Sequence, residues 1–243
     1  MGRPVLAKID QKVSAIHLDA VGGVAGDMFA AAILDACPNL WPRCEAAISA
    51  LTLPDGTTAR CETVTHKGFE GTRFTVQLPR NGKLGNHGHT PWTTIRSMLV
   101  DAPLDAGVRN TAIGIFTILA DAEAAVHGIA PDDVTFHEVG AIDSIVDIAV
   151  AAVLIDALAP CLWSVGPLPQ GRGQVKTQHG YIPVPVPATA KILEGFLFVD
   201  DGENGERVTP TGAAILKFLE PAFSTDTAPR ALVGTGMGFG TKE

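Results

Sequence analysis

The sequence predicts an α/β fold with a flanking α+β part, in which a mixed sheet is packed by helices. Three observations predict it. A strand, a glycine loop and a helix follow one another in AIHLDAVGGVAGDMFAAAILDA. A short strand precedes an apolar helix in VTFHEVGAIDSIVDIAVAAVLIDAL. Between these units, two Thr/Val/Phe-rich runs around KGFEG and a long helical stretch interrupt the alternation. The expected division is an α/β core of residues 1–57 and 129–243, with a hairpin-plus-helix insertion at 58–128.

Taken in order, Ser14 to Asp19 alternates as a strand, and AVGGVAG leads into a helix over DMFAAAILDA. WPRCEAAISAL predicts a second helix, closed by Pro54 and Gly56. ARCETVTH and TRFTVQL pair as a hairpin, followed by the polar loop PRNGKLGNHGHTP. Thr90 and Pro91 read as the N-cap and first residue of one helical region running through Val126 to a stop at Gly128. VTFHEV is a short strand, and the helix from Asp143 to Leu158 is apolar on nearly every side, as an element sandwiched by others must be. Leu162 to Leu168 predicts one more strand and QGRGQVKTQHG a glycine-containing loop. VPVPVP is extended, Pro187 to Glu194 is a helix, and TPTGAAILKFL is the last helix.

With 46% apolar and 18% charged residues over 243 positions, the chain is globular. A net charge of -8 excludes a general binder of nucleic acid or anionic membrane, because no basic face can be assembled. The longest apolar run, Ile148 to Ile155, is far short of the ~20 residues that span a bilayer. The start MGRPVLAKIDQK lacks a signal-peptide core, so the expected location is cytoplasmic. Cys37, Cys44, Cys61 and Cys161 show neither zinc spacing nor disulfide density and read as reduced, buried thiols.

FHEVGAIDSIVDI places His137, Glu138, Asp143 and Asp147 inside apolar sequence. Asp143 and Asp147 fall four residues apart on one helix face, where paired carboxylates repel unless a cation, a shared proton or solvent separates them. Helix capping would account for Asp143. It does not account for Asp147, one turn deeper, whose partner is either a Lys or Arg from elsewhere or a divalent metal. Asp19 and Asp27 flank the glycine loop with Gly22, Gly23 and Gly26, whose spacing is not that of a dinucleotide or P-loop motif. A tight turn with Asp27 as N-cap is the plain alternative. Arg172, Lys176, Thr177 and His179 could meet an anion, or be solvated turn residues. Capping accounts for Thr209 or Thr211. His87 and His89 could bind a transition metal but as exposed loop imidazoles need not, and His17 and His127 read as strand and helix-end histidines.

HLDAVGGVAGDMFAAAILDA, VHG, FHEVGAIDSIVDI, GRGQVKTQHGYIPVPVPAT, VTPTGAA and GMGFGT together resemble the N-terminal part of the LarC family. That family inserts nickel into pyridinium bisthiocarboxylic acid mononucleotide, making the nickel-pincer cofactor. The resemblance implies a CTP-dependent cyclometallation of the lyase class, with nickel as cargo and magnesium or manganese accompanying the nucleotide. Asp19, Asp27, His137 and Asp147 are expected to meet metal, Glu138 and Asp143 to act in catalysis, and Gly22, Gly23, Gly26, Arg172, Lys176, Thr177 and His179 to bind the ligand. Two departures stand out. The family's long histidine-rich loop is reduced here to NHGHTPW, and the sequence stops where members continue into a C-terminal domain credited with binding metal-CTP. A separately encoded C-terminal domain is therefore an expected partner and activity of this chain alone is not implied; whether the chain also pairs with a second copy of itself is left open by the sequence. A non-catalytic carrier of nickel or pincer precursor and a divalent-metal phosphohydrolase are the other readings.

Overall fold

The structure is a computed structural model that describes residues 13–78, 90–136, 142–223 and 229–241. The chain begins with β1 (Ala15–Leu18), α1 (Gly26–Ala36) and α2 (Trp41–Ala50). The hairpin β2 (Thr58–His66) and β3 (Phe69–Gln77) pairs in full antiparallel register across Lys67 and Gly68. Both turn residues have positive φ, 47° and 86°, as a two-residue turn matched to the twist of its strands requires. β4 (Thr90–Pro91), α3 (Trp92–Asp101), α4 (Ala106–His127), β5 (Thr135–Phe136) and α5 (Ile142–Leu158) follow. Then come β6 (Leu162–Val165), β7 (Leu168–Pro169), β8 (Gln174–Thr177), β9 (Gly180–Pro183), α6 (Pro187–Ile192), β10 (Phe198–Val199), α7 (Pro210–Leu219) and β11 (Ala222–Phe223).

This is an α/β protein. Its parallel and antiparallel pairings are spread over small sheets rather than joined in one: β1-β6-β11 is a parallel sheet, β7 pairs β10 in parallel, and β2-β3, β4-β5 and β8-β9 are antiparallel pairs. Helices supply most of the core. α5 lies between α1, α2 and α4, and Ile145, Val146 and every residue from Ile148 to Leu154 are buried. Each large aliphatic side chain withdrawn from water there contributes about 1.5–3 kcal/mol. α4 also packs on α6 and α7, and β3 packs on α1, so one apolar cluster runs across the expected 58–128 boundary.

Four local expectations are corrected. The helical region after residue 90 is two helices, because Pro103 lacks an N–H and holds Ala102 extended at ψ 140°; Arg109 donates to the Ala102 and Leu104 carbonyls freed at the break. Pro91 is the N-cap of α3 rather than its first residue, since Thr90 and Pro91 are held extended against Phe136 and Thr135. The expected strand over Leu162 to Leu168 is two, β6 and β7, in different sheets. QGRGQVKTQHG is partly a hairpin, with Val175 paired to Ile182 and the turn closed at Gly180. The polar loop with His87 and His89 lies outside the described residues.

GMGFG has a packing role. The Asp35 carboxylate accepts from the Met237 N–H at 3.0 Å, and Thr72 exchanges backbone bonds with Met237 and Phe239 at 2.8 and 2.9 Å. This strap lies between α1 and β3. A Cβ on Gly236 would overlap the Ala32 carbonyl, and one on Gly238 the Met28 carbonyl.

Candidate functional site

α1 and α5 bring three carboxylates together. Asp27 and Asp143 each sit in the first turn of their helix, where free N–H groups favour negative charge. Asp27 is not the N-cap of α1, a place held by Ala25; its Oδ1 accepts from the Met28 N–H at 2.9 Å, and Asp143 Oδ1 accepts from the Ser144 N–H at 2.8 Å. Asp147, one turn beyond Asp143, reaches across to the start of α1. A Cβ on Gly26 would lie 2.8 Å from the Asp147 Cβ and 2.9 Å from its Oδ2, so only glycine leaves room for this side chain.

Burial pushes the Asp147 carboxyl well above the ordinary aspartate range, and the charges of Asp27 and Asp143 push it further. The Asp27 backbone N–H donates to it and works in the opposite sense. No Lys or Arg is among the groups acting on it, so among the described residues the buried ion-pair alternative has no partner. The arrangement concentrates affinity for positive charge, whether a proton or a metal ion. Among the described residues no three His, Cys, Asp or Glu side chains already close on one point as ligands of a single ion. His137 and Glu138 lie outside the described residues, directly before α5. Asp19 follows β1, exposed, and is not among the groups acting on Asp147.

The glycine loop after β1 is met by the chain itself. Val24 N–H donates to the Arg207 carbonyl at 2.8 Å, and a Cβ on Gly23 would overlap that oxygen. The Arg207 guanidinium donates to Asp201 at 2.7 Å and to the Val21 carbonyl at 3.2 Å. Gly22 is exposed. Residues 200–207 also clasp the second expected ligand loop: Gly205 N–H donates to the Arg172 carbonyl at 2.8 Å, and the Arg172 Nε donates to both Asp200 oxygens at 2.9 and 3.2 Å. That pair holds the Asp200 carboxyl below its usual range. Arg172 is thus engaged by a carboxylate, while Lys176 stands exposed on β8. Thr177 Oγ donates to the Gly180 carbonyl at 3.2 Å and accepts from the His179 N–H at 3.1 Å, tying the turn that carries His179. Thr209 caps α7, its hydroxyl accepting from the Gly212 N–H at 3.2 Å. Arg207 was not legible as a site-building residue, because its partners in the glycine loop are remote in sequence, and Asp201 enters only through its pairing with Arg207.

The model of the family described as nickel insertion protein matches residues 16–243. The chain belongs to that family. It is 37% identical over 232 residues to the pyridinium-3,5-bisthiocarboxylic acid mononucleotide nickel insertion protein of Akkermansia muciniphila, covering 94% of this chain and 57% of that one. Relatives from Geobacter metallireducens and Geobacter sulfurreducens, also named for nickel insertion, are 40% and 41% identical over 94% of this chain and 57% of their own. The chain therefore spans little more than half the length of the curated nickel insertion proteins it matches. No solved structure matches it. Among the described residues no helix is long and apolar enough to cross a membrane.

Proposed function

We propose that this chain is the substrate- and metal-handling part of a nickel insertase acting on pyridinium bisthiocarboxylic acid mononucleotide. The observation that carries the reading is the meeting of Asp27, Asp143 and Asp147 with no Lys or Arg acting on the half-buried Asp147. Forming a metal–carbon bond at an aromatic carbon releases the proton of that carbon while nickel takes its place. Carboxylates gathered without a lysine or arginine among them are suited to that exchange, some holding the incoming cation and others receiving the proton. In this reading Asp27 and Asp147, with Asp19 and His137, handle the metal, and Glu138 and Asp143 manage the proton. Gly22, Gly23, Gly26, Lys176, Thr177 and His179 face the mononucleotide; Arg172 joins them only by leaving Asp200. CTP with magnesium or manganese is consumed with a C-terminal partner domain, in keeping with relatives that are longer than this chain.

The test combines the protein with nickel, the thiolated mononucleotide, CTP, magnesium or manganese and a C-terminal partner, and looks for the coloured nickel adduct. An adduct that requires this chain and is lost in Asp147→Asn is the expected result. Its absence under every combination overturns the reading. Tight binding of the mononucleotide without turnover would instead identify a carrier, and calorimetry without CTP separates the two.

A further inference from the structure

β2 is nine residues long, and its backbone bonds use one of its two edges. The two-residue turn at Lys67 and Gly68 is closed by the pair His66 and Phe69, so the even-numbered residues of β2 turn their N–H and C=O groups toward β3. Those of Ala59, Cys61, Thr63 and Thr65 turn the other way. Thr72, opposite Thr63, obeys the same alternation, because its N–H leaves β2 for the Met237 carbonyl. Among the described residues no backbone group pairs with this outward edge, and Thr58, Arg60, Glu62, Thr63 and Thr65 are exposed. By contrast β1 and β8 are four residues long, and β4 and β11 two.

An open edge of this length invites another strand, and globular chains blunt such edges with proline, lysine, a bulge or a short strand. β2 has none of these. It pairs with β3 residue for residue, and its only formal charges are Arg60 and Glu62. These two have opposite signs and lie 3.9 Å apart, 56% and 60% exposed. An exposed contact of that kind contributes little within one chain, so both groups are available to a second strand.

The strand carries its own complement. Outward groups recur at every second residue, so an antiparallel copy of β2 can dock only in registers where one residue faces its own copy. Centring the pairing on Arg60 or on Glu62 sets that residue against itself, and like charges directly opposite destabilise a pair. Centring it on Thr63 gives neither charge an opposite one. Centring it on Cys61 sets Arg60 against the partner's Glu62 and Glu62 against the partner's Arg60. Both contacts then fall at non-hydrogen-bonded positions, where Cα atoms approach to about 4.5 Å and side chains meet most closely. On the opposite face the same register brings together Ala59, Cys61 and Thr63, whose small side chains leave room for the second strand. We propose that β2 is the interface between two copies of this chain, joined antiparallel about Cys61 into one continuous sheet. The GMGFG strap, bridged to the far side of β3 at Thr72, then lies at each outer edge. This pairing does not depend on the insertion reading.

Sedimentation of the full chain over a range of concentrations tests it. Wild type is expected to dimerise reversibly. Arg60→Glu alone and Glu62→Arg alone each set like charges opposite one another twice, and each should weaken the dimer by about tenfold. An equimolar mixture of these two variants should form a mixed dimer at near wild-type strength, because every contact between positions 60 and 62 is again between opposite charges. Thr63→Pro deletes an outward N–H that β3 does not use, and should abolish pairing while circular dichroism shows the chain folded. Should that variant fail to fold, the charge reversals decide alone, since both side chains are exposed. A wild-type chain that stays monomeric into the millimolar range overturns the proposal and leaves the edge to another protein's strand. A dimer that both charge reversals leave unchanged overturns it too, as do single variants whose mixture regains nothing.

Discussion

Replacing Asp147 with Asn removes one negative charge from a cluster that already holds Asp27 and Asp143, while keeping the side-chain shape and an oxygen to accept the Asp27 N–H. In the wild-type protein that charge is opposed by burial and by two like charges. Relieving a poorly compensated buried polar group is worth about 1–3 kcal/mol, and about 2–4 °C in melting temperature per kcal/mol for a chain of this size. In metal-free buffer at neutral pH, Asp147→Asn should therefore melt a few degrees above wild type. The pH dependence has a definite sign. The folded-state pKa lies above the ordinary 3.8, so between those two values the folded protein holds a proton that the unfolded chain has lost. Wild-type stability contributed by this group is fully present below 3.8 and falls as pH rises through the raised folded value. The variant lacks that fall. Adding divalent ion should reverse the ranking, since an ion at 100 times its dissociation constant stabilises the native state by about 2.7 kcal/mol and the variant has lost a ligand. Differential scanning calorimetry across pH, with and without divalent ion, reads all of this. A metal-free variant destabilised by about 3–5 kcal/mol would refute the reasoning, because that is the signature of a carboxylate taken from a buried cation.

Gly26→Ala sets a methyl 2.8 Å from the Asp147 Cβ, and overpacking of this kind destabilises by about 1–3 kcal/mol; chemical denaturation should show that loss together with a reduced stabilisation by divalent ion. Thr209→Ala leaves the Gly212 N–H without its cap and should lower stability by about 1 kcal/mol with no change in metal response, read from the same denaturation curves. Burial pushes the Cys44 thiol up to about 12 and the Cys61 thiol up to about 11, which leaves on the order of a thousandfold and a hundredfold less thiolate, respectively, than an ordinary cysteine at pH 8. Both should resist iodoacetamide in the folded protein and react once denatured, as peptide mass spectrometry would show.

Asp147 was legible in the sequence because a single acid one turn into a wholly apolar helix has no local reason to be there. The β2-β3 hairpin was legible because its residue types and its turn agree. The break between α3 and α4 was masked by apolar periodicity that continues on both sides of Pro103, and a proline near the middle of a pattern reads as a kink as readily as a stop. β8 and β9 were hidden because Val175 and Ile182 give only a brief apolar alternation among polar residues. Gly23 and Gly26 were read as residues that let a ligand approach, and each also admits another part of the same chain, the Arg207 backbone and the Asp147 side chain, as Gly238 admits the Met28 backbone. A missing side chain shows that something comes close, and only the fold tells what.

The GMGFG strap runs backwards along α1. Gly236 lies over Ala32 and Ala36, Gly238 over Met28 and Ala32, and Gly240 over Met28, the neighbour of Asp27. Travelling in chain direction, the backbone is led from the far end of that helix up to the turn bearing the carboxylates. Polypeptide continued from this point would be delivered there on a short leash, at a local concentration in the millimolar range set by tether length instead of by diffusion.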